Sequence, residues 1–126
     1  MYSFDDLMGI VATLRSENGC PWDRKQTHES LKPCLESECR EVVEAIDKKD
    51  MENLCEELGD VLLNVVLQCR IAEENGEFTM ADVIDGVSRK MIRRHPFVFG
   101  EKRTVSAEEG QALWNEIKLQ EKAKKP

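Results

Sequence analysis

From Leu54 to Ala72 the chain carries apolar side chains at Leu54, Leu58, Val61, Leu62, Val65, Cys69 and Ala72, the three- and four-residue steps of a helix, with no proline to interrupt it. Leu63, Val66 and Leu67 add apolar surface on the remaining faces of its second half. A helix that is apolar all round must be covered all round, so this segment predicts a bundle centre or a subunit interface. Asp50 is placed to cap it and Asn75-Gly76 to stop it.

The rest of the chain offers helices to pack around such an element. Ser3 and Asp6 have the spacing of a capping box ahead of Leu7, Ile10, Val11 and Leu14, which predicts a helix to about Ser16 with Asn18-Gly19 as its stop. The segment GCPWDRKQTHESLKP reads as a loop with one short helical turn after Thr27. A further helix starts near Pro33 and ends before Asp50, with an apolar stripe of Leu35, Cys39, Val42, Val43 and Ile46. Thr79 caps another, carrying Val83, Ile84, Val87 and Met91, which must end at Arg94-His95 ahead of Pro96. HPFVFGEKR reads as a loop, and Ser106 with Glu109 opens a last helix containing Leu113, Trp114 and Ile117. No strand pattern, internal repeat or low-complexity tract is present, and 126 residues suit one core. The expected fold is all-α, a single domain over residues 1–126 built as a bundle of about five helices and completed by a homodimer or a dimer of dimers.

Charge is distributed unevenly. Residues 36–60 hold ten acids and three bases, a balance equal to the net charge of −7 of the whole chain, so the remainder is neutral. An acidic protein is a poor general nucleic-acid binder, because that binding neutralises phosphates with Lys and Arg. A polyanionic ligand would need metal ions or a local basic cluster, and residues 89–103 provide the latter with six bases against Glu101. The amino terminus has no signal-peptide pattern and no apolar run is long enough to span a bilayer. Five cysteines, an odd number without paired CxxC spacing, read as reduced thiols in a cytoplasmic setting.

Within the acidic segment, Glu38 and Glu41 are three apart on one predicted helix, and Glu57 and Asp60 are three apart on the next. At about 100° per residue both pairs fall on the same edge of their respective apolar stripes. This is also the spacing of a solvated face laced with ion pairs, which describes Glu36, Glu44, Asp47 and Glu52. If antiparallel packing brings the two edges together, four like charges meet beside an apolar seam, and cations or protons must compensate them. An all-oxygen set of this kind suits Mg²⁺ or Mn²⁺, whereas zinc would recruit His or Cys.

These motifs carry a resemblance. LRSENGCPWDRKQTHESL, ESECREVVEAI, EELGDVLLNVV, RKMIRRHPFVFG and WNEIK, in this order over nearly the whole chain, resemble the MazG-like nucleoside triphosphate pyrophosphohydrolases, all-α proteins with an ExxE on one helix and an ExxD on the next. The resemblance implies Mg²⁺-dependent hydrolysis of a nucleoside triphosphate, ribo or deoxyribo, between the α and β phosphates. It implies Glu38, Glu41, Glu57 and Asp60 as metal ligands and catalytic carboxylates, with Glu38 orienting or deprotonating the attacking water. Lys90, Arg94 and Lys118 would meet phosphate, Trp114 the nucleotide, and Glu56 and Trp22 would complete the pocket. Two positions depart from the pattern: Ser37 stands where many relatives have an acid, and Asn53 where some have a basic residue. Trp114 at helical spacing with Leu113 and Ile117 is equally a core anchor, and His95 before a proline reads as a capping or orienting group. The alternatives are an enzyme dedicated to dCTP, dUTP or phosphoribosyl-ATP and, from another class, a non-catalytic helical interaction protein.

Overall fold

Ser3 opens the first helix as its spacing requires. Its hydroxyl accepts from the Asp6 N–H at 3.1 Å, and Asp6 Oδ2 accepts from the Ser3 N–H at 2.8 Å. The computed structural model, which describes residues 1–125, has seven helices and no strand among those residues. They are α1 (Phe4–Leu14), α2 (Pro21–Lys25), α3 (Lys32–Asp47), α4 (Met51–Glu74), α5 (Met80–Arg94), α6 (Pro96–Phe99) and α7 (Ala107–Ala123). The five long ones are the helices expected from periodicity. The two short ones lie in segments read as loops, and α1 ends at Leu14, short of the expected Ser16.

The short helices have local causes that periodicity does not report. Both α2 and α6 begin with proline, whose fixed φ suits a first turn. In α2 the backbone carbonyls are then taken up by side chains: Gln26 Nε2 donates to Trp22 O at 2.8 Å, and Arg15 donates to Asp23 O and Gln26 O. Gly19 makes the approach to α2 possible, since a Cβ there would lie 2.2 Å from Leu14 O. The expected turn after Thr27 is present, with Leu31 N–H on Thr27 O at 3.3 Å.

The chain forms two compact units, Met1–Met80 and the remainder from Ala81 on. In the first, α4 packs against α3 and α1. Its core is Val11, Leu31, Val66, Leu67, Cys69, Ile71 and Met80, with Leu7 and Met8 packed against it. Between α3 and α4, Lys49 takes φ +56°, and the Asp50 N–H reaches back to Ala45 O at 3.0 Å before Asp50 caps α4 through the Asn53 N–H. Gly76, at φ +70°, ends α4.

The rotation of α3 and α4 corrects the expected stripes. On α3 the less exposed row runs Leu31, Leu35, Glu38, Val42 and Ala45, while Val43 and Ile46 are more than half exposed and Cys39 is exposed. On α4 the row towards α3 includes Glu57, Asn64 and Gln68. Leu58, Leu62, Leu63 and Val65 remain exposed, so the second half of α4 is not covered all round within the chain. Counting apolar positions did not give the rotation, because both helices carry more apolar surface than one contact can hide and polar residues occupy part of the shared seam; the open apolar face of α4 itself is what the subunit-interface expectation describes.

In the second unit, α5 meets α7 through its last turn. Arg93 Nε and Arg94 Nη2 both donate to Glu121, at 2.6 and 2.9 Å, and the Arg94 guanidinium lies 4.5 Å from the centre of the Trp114 ring. His95 stacks edge-on against Trp114 and Phe97, and its Nδ1 lies 2.6 Å from Met91 O at the end of α5. The expected apolar stripe of α5 is not a buried one: Val83, Ile84 and Val87 are exposed.

One ion pair fixes the amino-terminal part of the first unit to α4. Arg15, whose side chain is 8% exposed, forks onto Glu74 with Nε and Nη2 at 2.9 and 2.8 Å. That guanidinium holds the Glu74 carboxyl below the usual carboxylate range. The contribution is fully present above the unfolded value of about 4.3 and is lost as the pH falls through the lower folded value. Urea unfolding of Glu74→Gln is expected to show a stability loss of about 2 kcal/mol near neutral pH, closing towards the wild type in acid; a gap that widened in acid would contradict it.

Candidate metal and nucleotide site

The connection through Lys49 and Asp50 returns α4 along α3, and the two acidic pairs meet. Side-chain oxygens of Glu41, Glu57 and Asp60 all lie within 4.8 Å of one another. Glu38 joins them from the buried row of α3, lining a hollow with Glu41, Asp60, Ser37, Cys34 and Pro33. One oxygen each of Glu38 and Glu57 is buried with no hydrogen-bond partner. Buried carboxylate oxygens without partners are costly, and here they border a cluster of their own charge.

The electrostatics record this crowding. A hydrogen bond shared with Glu41 pushes the Glu57 carboxyl up to about 7, helped by lost solvation and the charges of Glu41, Asp60 and Glu56. Burial pushes Glu38 up as well, with the charges of Asp60 and Glu41 adding to it and the Asn64 amide easing it. The donor set is entirely oxygen, carries excess negative charge and includes unpartnered oxygens, the chemistry that suits a hard divalent cation. The residues therefore fit Mg²⁺ or Mn²⁺. Cys34 lines the hollow, but no histidine does.

The other expected site residues fall into two groups. In the first unit, Glu56 is exposed beside Glu57, and Trp22 is 56% exposed on α2. In the second, Lys90 is half-buried on α5, Lys118 is exposed on α7, and Trp114 is half-buried beneath Arg94. Arg94 is 7% exposed and already bound to Glu121, although its Nε has no partner. Glu121 is pushed down to about 2 by the hydrogen bonds from Arg93 and Arg94. Sequence reasoning passed over Asn64, 2% exposed, and Gln68. Their signal is there: Asp60, Asn64 and Gln68 step by four through an apolar run, a polar row that counting hydrophobic positions ignores.

A family model for the MazG nucleotide pyrophosphohydrolase domain matches residues 26–99, which contain both acidic pairs, Lys90 and Arg94. The chain belongs to this MazG family. It is 54% identical over 97% of its length to a protein of Thermotoga maritima named nucleoside triphosphate pyrophosphohydrolase/pyrophosphatase MazG, covering 46% of that relative. It is 40% identical over 99% of its length to a nucleoside triphosphate pyrophosphohydrolase of Escherichia coli K12, covering 48%. The chain thus spans about half the length of these curated relatives. A crystal structure of a mazG-related protein from Thermotoga maritima superposes with a TM-score of 0.75 at 35% identity, covering 90% of this chain and 97% of that one. The all-α MazG fold is therefore shared, and Trp22, Trp114 and Lys118 lie outside the segment the family model matches.

The raised Glu57 value has a defined consequence in EDTA. An acid whose folded value exceeds its unfolded one stabilises the protein fully below about 4.3, and that stability is lost as the pH rises through about 7. Glu57→Gln is expected to remove this loss, leaving a metal-free protein that melts higher than wild type above neutral pH and not in acid. Equal melting temperatures across the range would contradict the crowding.

Proposed function

We propose that this chain hydrolyses nucleoside triphosphates between the α and β phosphates, releasing the monophosphate and pyrophosphate. The observation that carries the reading is the convergence of Glu38, Glu41, Glu57 and Asp60 from α3 and α4, with unpartnered buried oxygens, in a chain of this family. When bound there, Mg²⁺, or Mn²⁺ in its place, would neutralise triphosphate charge and make water a better nucleophile.

The chain's own groups have separable tasks. Glu38 accepts the proton of the attacking water, a role favoured by the burial that raises its basicity. Glu41, Glu57 and Asp60 would hold the cation together with Glu38. The resemblance assigns phosphate contacts to Lys90, Arg94 and Lys118 of the second unit, where the Arg94 Nε has no hydrogen-bond partner. It also assigns Trp22, Trp114 and Glu56 to substrate binding, an amphipathic ring being suited to a base.

Nucleotide panels scored for pyrophosphate against orthophosphate test this. Pyrophosphate release that requires Mg²⁺ and stops in EDTA is expected, and folded Glu38→Gln should lose on the order of 100-fold in kcat. Orthophosphate as the product, or wild-type turnover by Glu38→Gln, would overturn it. The same panel separates a broad range of bases and sugars from a preference for one nucleotide.

The exposed row Leu58, Leu62 and Val65 on α4, at 50%, 41% and 37% exposure, supports a homodimer formed across this face or a dimer of dimers. Sedimentation at micromolar concentration should give a dimer or larger for wild type and a shift to monomer for Leu62→Lys. A wild-type monomer would contradict the proposal.

A further inference from the structure

The polar row along α4 does not stop at the carboxylates. It continues as a chain of side chains that leads from the surface to the start of α3. Glu77 Oε1 lies 2.7 Å from His28 Nε2, and His28 Nδ1 lies 2.5 Å from Gln68 Oε1. Gln68 Nε2 donates to Asn64 Oδ1 at 3.4 Å and to His28 O at 3.5 Å, and Asn64 Nδ2 donates to Leu31 O at 3.5 Å, where α3 begins. Asn64 is buried, and its amide also acts on the Glu38 carboxylate.

The direction of these bonds is fixed by the backbone. The backbone carbonyls of Leu31 and His28 can only accept, so Asn64 turns its NH₂ to Leu31 O and Gln68 its NH₂ to His28 O, and His28 Nδ1 faces the Gln68 carbonyl as a donor. Gln68 must therefore turn its carbonyl to His28 and its NH₂ to Asn64, which in turn makes Asn64 accept from Gln68 and donate towards Leu31 and Glu38. Were Asn64 reversed, its carbonyl would confront the Leu31 carbonyl; were Gln68 reversed, its carbonyl would confront those of His28 and Asn64, in either case an unpaired arrangement in the seam. Neither amide touches a reacting group in the proposed reaction.

From this geometry we propose that Asn64 is a positioning residue, held in one orientation by the Gln68–His28–Glu77 chain, which sets Glu38 and the start of α3 for cation binding by the carboxylate cluster. The proposal rests on the metal-site reading above. Outer partners of metal ligands typically carry about 10- to 100-fold of metal affinity, and these residues occupy that place for Glu38.

The test is Mn²⁺ binding followed by electron paramagnetic resonance without nucleotide, in wild type, Asn64→Leu, Gln68→Met and, as the control for the site, Glu57→Gln. Wild type should bind, Glu57→Gln should not, and Asn64→Leu should weaken the Mn²⁺ dissociation constant about 10-fold or more, with Gln68→Met in between. At saturating Mg²⁺ the nucleotide KM of both amide variants should stay at the wild-type value, a split that a loss of folded protein does not produce. Where Asn64→Leu does not fold, Gln68→Met decides. Folded amide variants that bind Mn²⁺ as tightly as wild type, while Glu57→Gln does not bind, overturn the positioning role alone. Mn²⁺ affinity unaffected by Glu57→Gln overturns the metal site itself, and the positioning role with it.

Discussion

Mutual repulsion among four carboxylates at the α3–α4 seam is the constraint around which this fold is arranged. Two helices could have packed there through their apolar faces, yet each is rotated so that acids share the seam and leucines are left outside. Such an arrangement costs stability in the bare chain, as the proton held by Glu57 near neutrality records. That cost is what the proposed divalent cation would offset.

The scaffold around the seam is correspondingly firm. Arg15 is nearly buried and ties α1, the backbone of α2 and the end of α4 together with one guanidinium. Asp50 caps α4 seven residues before Glu57, while the Lys49 turn fixes where α4 departs from α3. Elements fixed on both sides of the seam hold the carboxylate cluster in place, the preorganisation that the proposed cation site requires. The basic and aromatic groups of the second unit are organised separately, through Glu121 gripping Arg93 and Arg94 beside Trp114.

Much of this was legible in the sequence because its causes are local. The Ser3 and Ser106 caps, the Asp50 start, the Gly76 stop and the end of α5 before Pro96 each follow from one or two residues. The ExxE and ExxD spacing placed each acidic pair on one helix side, and their order carried the family resemblance. What remained hidden depends on rotation and tertiary contact. The stripe through Cys39, Val43 and Ile46 looked as good as the row through Leu31, Glu38, Val42 and Ala45, and only packing chose between them. Short α2 and α6 are set by proline and by side chains reaching across loops, and Asn64 becomes meaningful only once Leu31 and Gln68 stand beside it.

The central claim is that Glu38, Glu41, Glu57 and Asp60 together hold a divalent cation. Anomalous diffraction from crystals grown with Mn²⁺ measures this directly. A manganese peak bounded by carboxylate oxygens of α3 and α4 is expected. Crystals saturated with Mn²⁺ that show no peak there, or whose manganese sits on acids elsewhere on the surface, would contradict it.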